Sequence, residues 1–164
     1  MRKILLYLLF AVSLTVQHAT AAPNKAPDIK LPVASGTIQL DDLSGKVVYL
    51  DFWASWCQPC KQSFPWMNQM KQNYADRGFE VLAVNLDKDR ALADQFLSKM
   101  DVNFIVAFDQ NGQSASDYKL KGMPSSFLID RHGSIHAAHI GFRDEDKKQL
   151  EQAIIDLLNV RPDR

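Results

Sequence analysis

Residues 51–65 read DFWASWCQPCKQSFP (Asp51 to Pro65) and hold the only two cysteines of the 164-residue chain. Two residues separate Cys57 from Cys60, and two tryptophans, Trp53 and Trp56, stand just upstream. A C-x-x-C pair can hold a metal, crosslink the chain or carry electrons, and the flanking residues decide among these.

Upstream, VVYLDFW (Val47 to Trp53) is β-branched and aromatic without strict alternation, which predicts a strand buried on both faces. Downstream the period changes. Phe64, Met67, Met70 and Tyr74 recur at three- and four-residue steps, predicting a helix from Cys57 to about Tyr74 that ends before Gly78. The pair therefore falls where a buried strand gives way to a helix. A helix N-terminus offers unpaired N–H groups and a positive dipole end, both of which stabilise a thiolate. Cys57 is then the exposed nucleophile, and Cys60, one turn in, attacks the mixed disulfide and releases the product. Pro59 sits near the first turn, where its missing N–H costs little.

The other readings of the pair fare worse. Structural zinc needs four ligands, and the His132 and His136 pair lies over seventy residues away across a hairpin turn. A c-type haem site requires histidine directly after the second cysteine, where this chain has Lys61. A purely structural disulfide closing so small a loop stabilises little by the chain-entropy account.

The chain continues with EVLAVNLD as a second buried strand and DRALADQFLSKM as a helix presenting Leu92, Phe96, Leu97 and Met100 on one face. NFIVAFD is a third strand, QNGQ a turn, and SASDYKL a short helix. SSFLID and SIHAAHI then form a hairpin through RHG, and residues 144–160 an amphipathic helix with Leu150, Ile154, Leu157 and Leu158 inward. The order β-α-β-α-β, then β-β-α, predicts an α/β fold: a central mixed sheet of parallel strands with an antiparallel hairpin, flanked by helices. Ahead of it, NKAPDIKLPVASGTIQLDDLSGK reads as an extended lead-in, with ASGTIQL as a short hairpin, a β extension at the N-terminus.

Basic and acidic residues balance at 19 each, which gives no reason to expect nucleic acid as a partner. Apolar residues make up 46%, an ordinary globular share. Residues 1–22 read as a secretory signal peptide: Arg2 and Lys3, an apolar run from Ile4 to Val16, and small residues at Ala19 and Ala21. The run is short of the roughly 20 residues of a membrane span; the alternative is an uncleaved anchor. No cysteine near the junction serves for lipid attachment. Export to a periplasm would place the pair where dithiols become oxidised unless reducing equivalents arrive.

DFWASWCQPCK resembles the active-site strand and loop of thioredoxins. Pro65, five residues after Cys60, matches the helix-kinking proline of that family, and GMPSSFLIDRHGSI resembles the segment carrying its cis-proline. With the extended lead-in, the chain is similar to the exported TlpA/ResA-like branch of thiol-disulfide oxidoreductases, from Ala26 to about Leu158. The resemblance implies one thioredoxin-fold domain over residues 23–164, working through a redox-active Cys57–Cys60 disulfide with neither cofactor nor metal. It implies that Asp51 is a buried carboxyl behind Cys60, raised in pKa by burial and able to exchange a proton with it. Pro124 would be the cis-proline facing the pair, and Met123 would offer its backbone to an extended substrate as an added strand. Trp56 would form part of the apolar surface on which a client lies. The chain departs from ResA-like members at VNLDKD: Lys88 stands where they carry a glutamate, and neither Asp87 nor Asp89 inherits that role.

Gln58-Pro59 resembles the x-Pro dipeptide of reducing members, not the Pro-His of strongly oxidising ones. Those extremes differ by about 150 mV, or roughly 7 kcal/mol for two electrons. The expectation is a monomeric periplasmic reductant, recharged by a membrane electron donor of the DsbD/CcdA type. Its clients would be disulfides of exported proteins, including apocytochromes c. The alternatives are a disulfide-forming oxidant or isomerase, a peroxiredoxin-type peroxidase, and a non-catalytic binding module. The peroxidase lacks its P-x-x-x-T-x-x-C loop in LDFWASWC, and the intact C-x-x-C argues against the binding module.

Overall fold

The computed structural model describes residues 24–160; the segment read as a signal peptide, residues 1–22, lies outside them. The strands are β1 (Lys30–Val33), β2 (Gly36–Gln39), β3 (Val47–Trp53), β4 (Phe79–Asn85), β5 (Ile105–Phe108), β6 (Ser125–Ile129) and β7 (Ile135–Ile140). The helices are α1 (Gln58–Tyr74), α2 (Arg90–Leu97), α3 (Gln113–Asp117) and α4 (Lys147–Asn159). The strands make one sheet in the order β2-β1-β5-β4-β3-β6-β7.

All seven residues of β3 are buried, as are all seven of β4, which explains why neither sequence alternates. β3 runs parallel to β4 from Val47 opposite Phe79 to Trp53 opposite Asn85. β5 runs parallel to β4, whereas β6 is antiparallel to β3, with Phe52 opposite Ser125 and Val48 opposite Ile129. Successive side chains of β3 go to opposite faces. Val47, Tyr49 and Trp53 pack with α1 and α4, through Cys60, Phe64, Met67, Ile154 and Leu157. Val48, Leu50 and Phe52 enter a second core with Leu31, Leu40, Leu43 and Tyr118. The sheet is therefore covered on both sides, as the order of elements in the sequence requires.

The N-terminal extension forms its hairpin earlier than ASGTIQL suggests. Lys30–Val33 is the first strand, Ala34 and Ser35 are the turn, and β1 docks antiparallel on β5 by pairing Val33 with Ala107. Ahead of it, Lys25 bridges to Ser134, the Ala26 N–H bonds the Gly133 carbonyl, and the Ile135 N–H bonds the Asn24 carbonyl. These contacts sit at the β6–β7 turn, beside the beginning of β3.

Two details of the helices differ from expectation. Leu92 is 46% exposed, because α2 turns Ala93 and Phe96 into the core and leaves Leu92 at its outer rim. The last helix opens with a single 3-10 turn, Asp144–Asp146, before α4 begins. Inside, Phe64 stands at the centre of an aromatic cluster. Its ring centroid lies 5.0 Å from that of Trp53, 5.2 Å from Phe96 and 5.4 Å from Phe104. Phe64→Ala is expected to cost about 3–5 kcal/mol, and Leu92→Ala less than about 0.5 kcal/mol, compared by urea denaturation.

Candidate active site

Cys57 and Cys60 are joined by a disulfide, with their Cα atoms 5.4 Å apart. Cys57 is the N-cap of α1 and Pro59 lies in its first turn, with no acidic side chain there to oppose an anion. The Cys57 N–H bonds back to the Ala54 carbonyl at 3.0 Å, closing a tight turn between β3 and the helix. Ser63 Oγ donates to the Cys60 carbonyl at 3.0 Å. Pro65 lies inside the helix and lacks the N–H that would bond the Lys61 carbonyl. In this oxidised state Cys57 is not openly exposed: it retains 4% of its surface against none for Cys60. What access remains belongs to Cys57. Trp56 beside it is 68% exposed.

The peptide bond between Met123 and Pro124 is cis. Ser125, the next residue, pairs with Phe52, so this bond lies at the same end of the sheet as Trp53 and the cysteine turn. The loop is fixed by the Gly141 N–H to the Pro124 carbonyl, 2.8 Å, and by Ser125 Oγ to the Gly122 carbonyl, 2.7 Å. Pro124 is buried, and half-buried Met123 packs against both cores.

Asp51 is 1% exposed. By strand alternation its carboxyl lies on the face of Tyr49 and Trp53, the face that packs against Cys60. Its Oδ2 has no hydrogen-bond partner, and burial pushes its pKa well above the ordinary carboxylate range. The acid so placed is neutral more readily than a surface aspartate and is suited to exchanging a proton within the core.

Asp87 carries a function that the sequence did not disclose. It is 2% exposed, and its carboxylate accepts from the Ser55 N–H at 2.8 Å, Ser55 Oγ at 2.9 Å and Asn85 Nδ2 at 2.7 Å. The Asp87 N–H returns a bond to Asn85 Oδ1 at 3.1 Å. The end of β4 thereby grips the turn that presents Trp56 and Cys57. The visible signal was the N-x-D spacing of Asn85 and Asp87 after a strand, a pattern whose side chains bond the local backbone. Asp89 has a separate job, accepting from the Ala91 N–H as the N-cap of α2, and Lys88 is exposed. Among the described residues no group of three or more His, Cys, Asp or Glu side chains gathers in a metal-binding arrangement.

Comparison with known proteins agrees with this geometry. The model of the redoxin family matches residues 21–154. The chain is 38% identical to the thiol-disulfide oxidoreductase ResA of Oceanobacillus iheyensis over 144 residues, 80% of this chain and 75% of that protein. It is 34% identical to the ResA of Bacillus subtilis over 140 residues, 80% and 78% of the two chains. Among solved structures, a putative thiol:disulfide interchange protein DsbE from Chlorobium tepidum superposes with a TM-score of 0.83 at 54% identity, over 84% of this chain and 97% of that one. A putative thioredoxin from Neisseria meningitidis superposes at 0.74 with 27% identity, over 85% and 93%.

Two outcomes test this geometry. The folded chain keeps a proton on Asp51 at pH values where the unfolded chain has lost it. Stability is therefore expected to fall as pH rises from the ordinary carboxylate value towards the raised one, and then to level. Asp51→Asn is expected to flatten that slope and raise stability at neutral pH, as read from urea denaturation at several pH values. Asp87→Ala strands the Ser55 N–H and the Asn85 amide; it is expected to cost about 1–3 kcal/mol and to slow insulin reduction.

Proposed function

The chain belongs to the redoxin family and is a TlpA/ResA-like thiol-disulfide oxidoreductase of the thioredoxin superfamily; from that premise we propose that it reduces disulfides in exported proteins. The carrying observation is the Cys57–Cys60 disulfide at the N-terminus of α1, with the remaining access on the Cys57 side. In the reduced protein the Cys57 thiolate, stabilised by the free N–H groups of the first helical turn, attacks one sulfur of a client disulfide. The client bond breaks, one client sulfur leaves as a thiolate, and the other remains bonded to Cys57. The ionised form of Asp51, which its raised pKa makes a stronger base than a surface carboxylate, then takes the Cys60 proton, and Cys60 attacks the Cys57 sulfur. This closes the observed disulfide and releases the second client sulfur. Two electrons pass from the dithiol to the client.

Trp56, Met123 and Pro124 supply the client's resting place. Trp56 gives an exposed aromatic face, and the Met123–Pro124 loop gives main-chain groups at the same end of the sheet. The Gln58-Pro59 dipeptide favours the reducing direction. Residues 1–22 act as the secretory signal, and a membrane electron donor of the DsbD/CcdA type recharges the pair in the periplasm. Disulfides of exported proteins, apocytochromes c among them, are the client class, and the protein acts as a monomer without a cofactor.

The testing experiment is a redox titration of the pair against glutathione. A reduction potential near the thioredoxin value, about −270 mV, is expected; one near about −120 mV reverses the direction of transfer. Cys60→Ser is expected to accumulate mixed disulfides with clients on non-reducing gels, and Cys57→Ser to abolish insulin reduction. Full turnover by Cys57→Ser overturns the assignment of the nucleophile.

A further inference from the structure

Leu92 and Phe96 stand one turn apart on α2, yet only Phe96 is buried in the core. Among the described residues, the large apolar side chains left exposed include Trp56, Leu92 and Ile140, all at the cysteine end of the sheet. Trp56 is in the turn after β3, Leu92 in the helix that follows β4, and Ile140 opposite Ser125, itself opposite Phe52. Single exposed apolar residues are ordinary; a group of them at one end is the form a docking surface takes. The sheet order sets them on two flanks. β6 and its Pro124 loop lie on one side of β3, and β4, from which α2 follows, lies on the other.

The α2 flank holds a groove of about 330 Å³ between α2 and the start of α1. Leu92, Phe96 and Met100 supply its apolar wall, Ser55 closes it beside the cysteine turn, and Lys61 and Lys99 line it with charge. Its volume is at the low end for ligand sites, about 300–1,000 Å³, which suits a side chain and its neighbours. The wall is firmly held: the Phe96 ring centroid lies 4.9 Å from that of Trp53, and Asp87 fixes Ser55. No aspartate or glutamate lines the groove. The lysines that pair with carboxylates among the described residues are Lys46, Lys71 and Lys147, so Lys61 and Lys99 are uncompensated there. The acids near α2 are engaged elsewhere: Asp87 with Ser55 and Asn85, Asp89 with the Ala91 N–H, and Asp94 with Arg90. Two such ammonium groups beside an apolar wall attract a carboxylate and repel a cation.

We propose that this groove is a specificity site, which takes an apolar side chain of the client flanked by acidic residues. The assignment rests on the reductant reading above. Lys61 lies four residues beyond Cys57 along α1, a rise of about 6 Å. An extended chain covers that distance in about two residues, at roughly 3.3–3.6 Å each. The client side chains that enter the groove are therefore those about two to four residues from the client cysteine. The groove selects which client is held at Cys57; the bonds made and broken are those already described.

The test uses the reduced full chain and two peptides, each with one cysteine capped as a mixed disulfide with 2-mercaptoethanol. Each carries a leucine three residues from the cysteine on either side, flanked by glutamates in one peptide and by lysines in the other. Bis(2-hydroxyethyl) disulfide, too small to reach from Cys57 into the groove, reports the sulfur chemistry alone. The acidic peptide is expected to be reduced about fivefold faster than the basic one at low salt, the upper range for one exposed ion pair. Added salt is expected to shrink the difference. Lys99→Glu is expected to cancel or invert the preference, as is Lys61→Glu once its rates are normalised to the small disulfide. Leu92→Asn is expected to slow both peptides alike and leave the small disulfide unaffected. A purely structural role for the lysines would change both peptide rates together without exchanging the preference. Lys99 and Leu92 are exposed, so their variants keep the fold. Equal rates for the two peptides in the parent protein, or a preference that survives both lysine reversals, overturns the groove as the site. If the parent fails to reduce even the small disulfide, the reductant reading falls, and the specificity assigned to it falls too.

Discussion

The Asp51 carboxyl stands on a strand hydrogen-bonded along both edges and packed on both faces, with one oxygen that bonds to nothing. An ionised group there loses the solvation it would have in water, a cost that returns as a raised pKa. The surrounding architecture tolerates this because β3 is otherwise all hydrocarbon and aromatic, from Val47 to Trp53. The same packing fixes where the strand ends. Trp53 is locked among Phe64 and Phe96, so the next few residues must turn outward, and Cys57 arrives at the start of α1 in one orientation. Acid, disulfide and helix N-terminus are thus set relative to one another by a single rigid element.

Much of this was legible in the chain because buried strands and amphipathic helices leave periodic traces. The run VVYLDFW followed by three- and four-residue apolar steps located the strand-to-helix junction, and a strand-helix alternation implied the parallel sheet. What the sequence could not show were relations between residues far apart along it. Leu92 obeys the helical period yet faces solvent, since which flank of α2 meets the sheet depends on its docking and not on its own pattern. The β1 strand was hidden because KLPV contains a proline and is short; its place is fixed by pairing with β2 and β5. Asp87 was visible as an acid, but its grip on Ser55 exists only because the turn after β3 folds back over the end of β4.

Buried polar groups divide into two kinds in this molecule. Asp87, Glu80 and Asp109 are saturated with partners: Asp87 with Ser55 and Asn85, Glu80 with Lys46 and Lys71, Asp109 with the backbone at the start of α3. Such groups hold elements in register, and an unpaired charge left by removing either member is costly. Among the described residues, Asp51 Oδ2, the indole nitrogens of Trp53 and Trp66, and Arg131 Nε have no partners. The first three lie on the side of the sheet that carries the cysteines, whereas Arg131 sits at the β6–β7 turn.

The contacts of Asn24, Lys25 and Ala26 with the β6–β7 turn have a directional consequence. That turn is level with Val48 and the beginning of β3, whereas the cysteines follow its far end at Trp53. Six strand steps at about 3.3 Å each separate the two poles, Val47 and Trp53, by roughly 20 Å. A tether joined ahead of residue 24 would pull on the pole remote from Cys57. The reactive end would then swing freely towards whatever approaches from the opposite side.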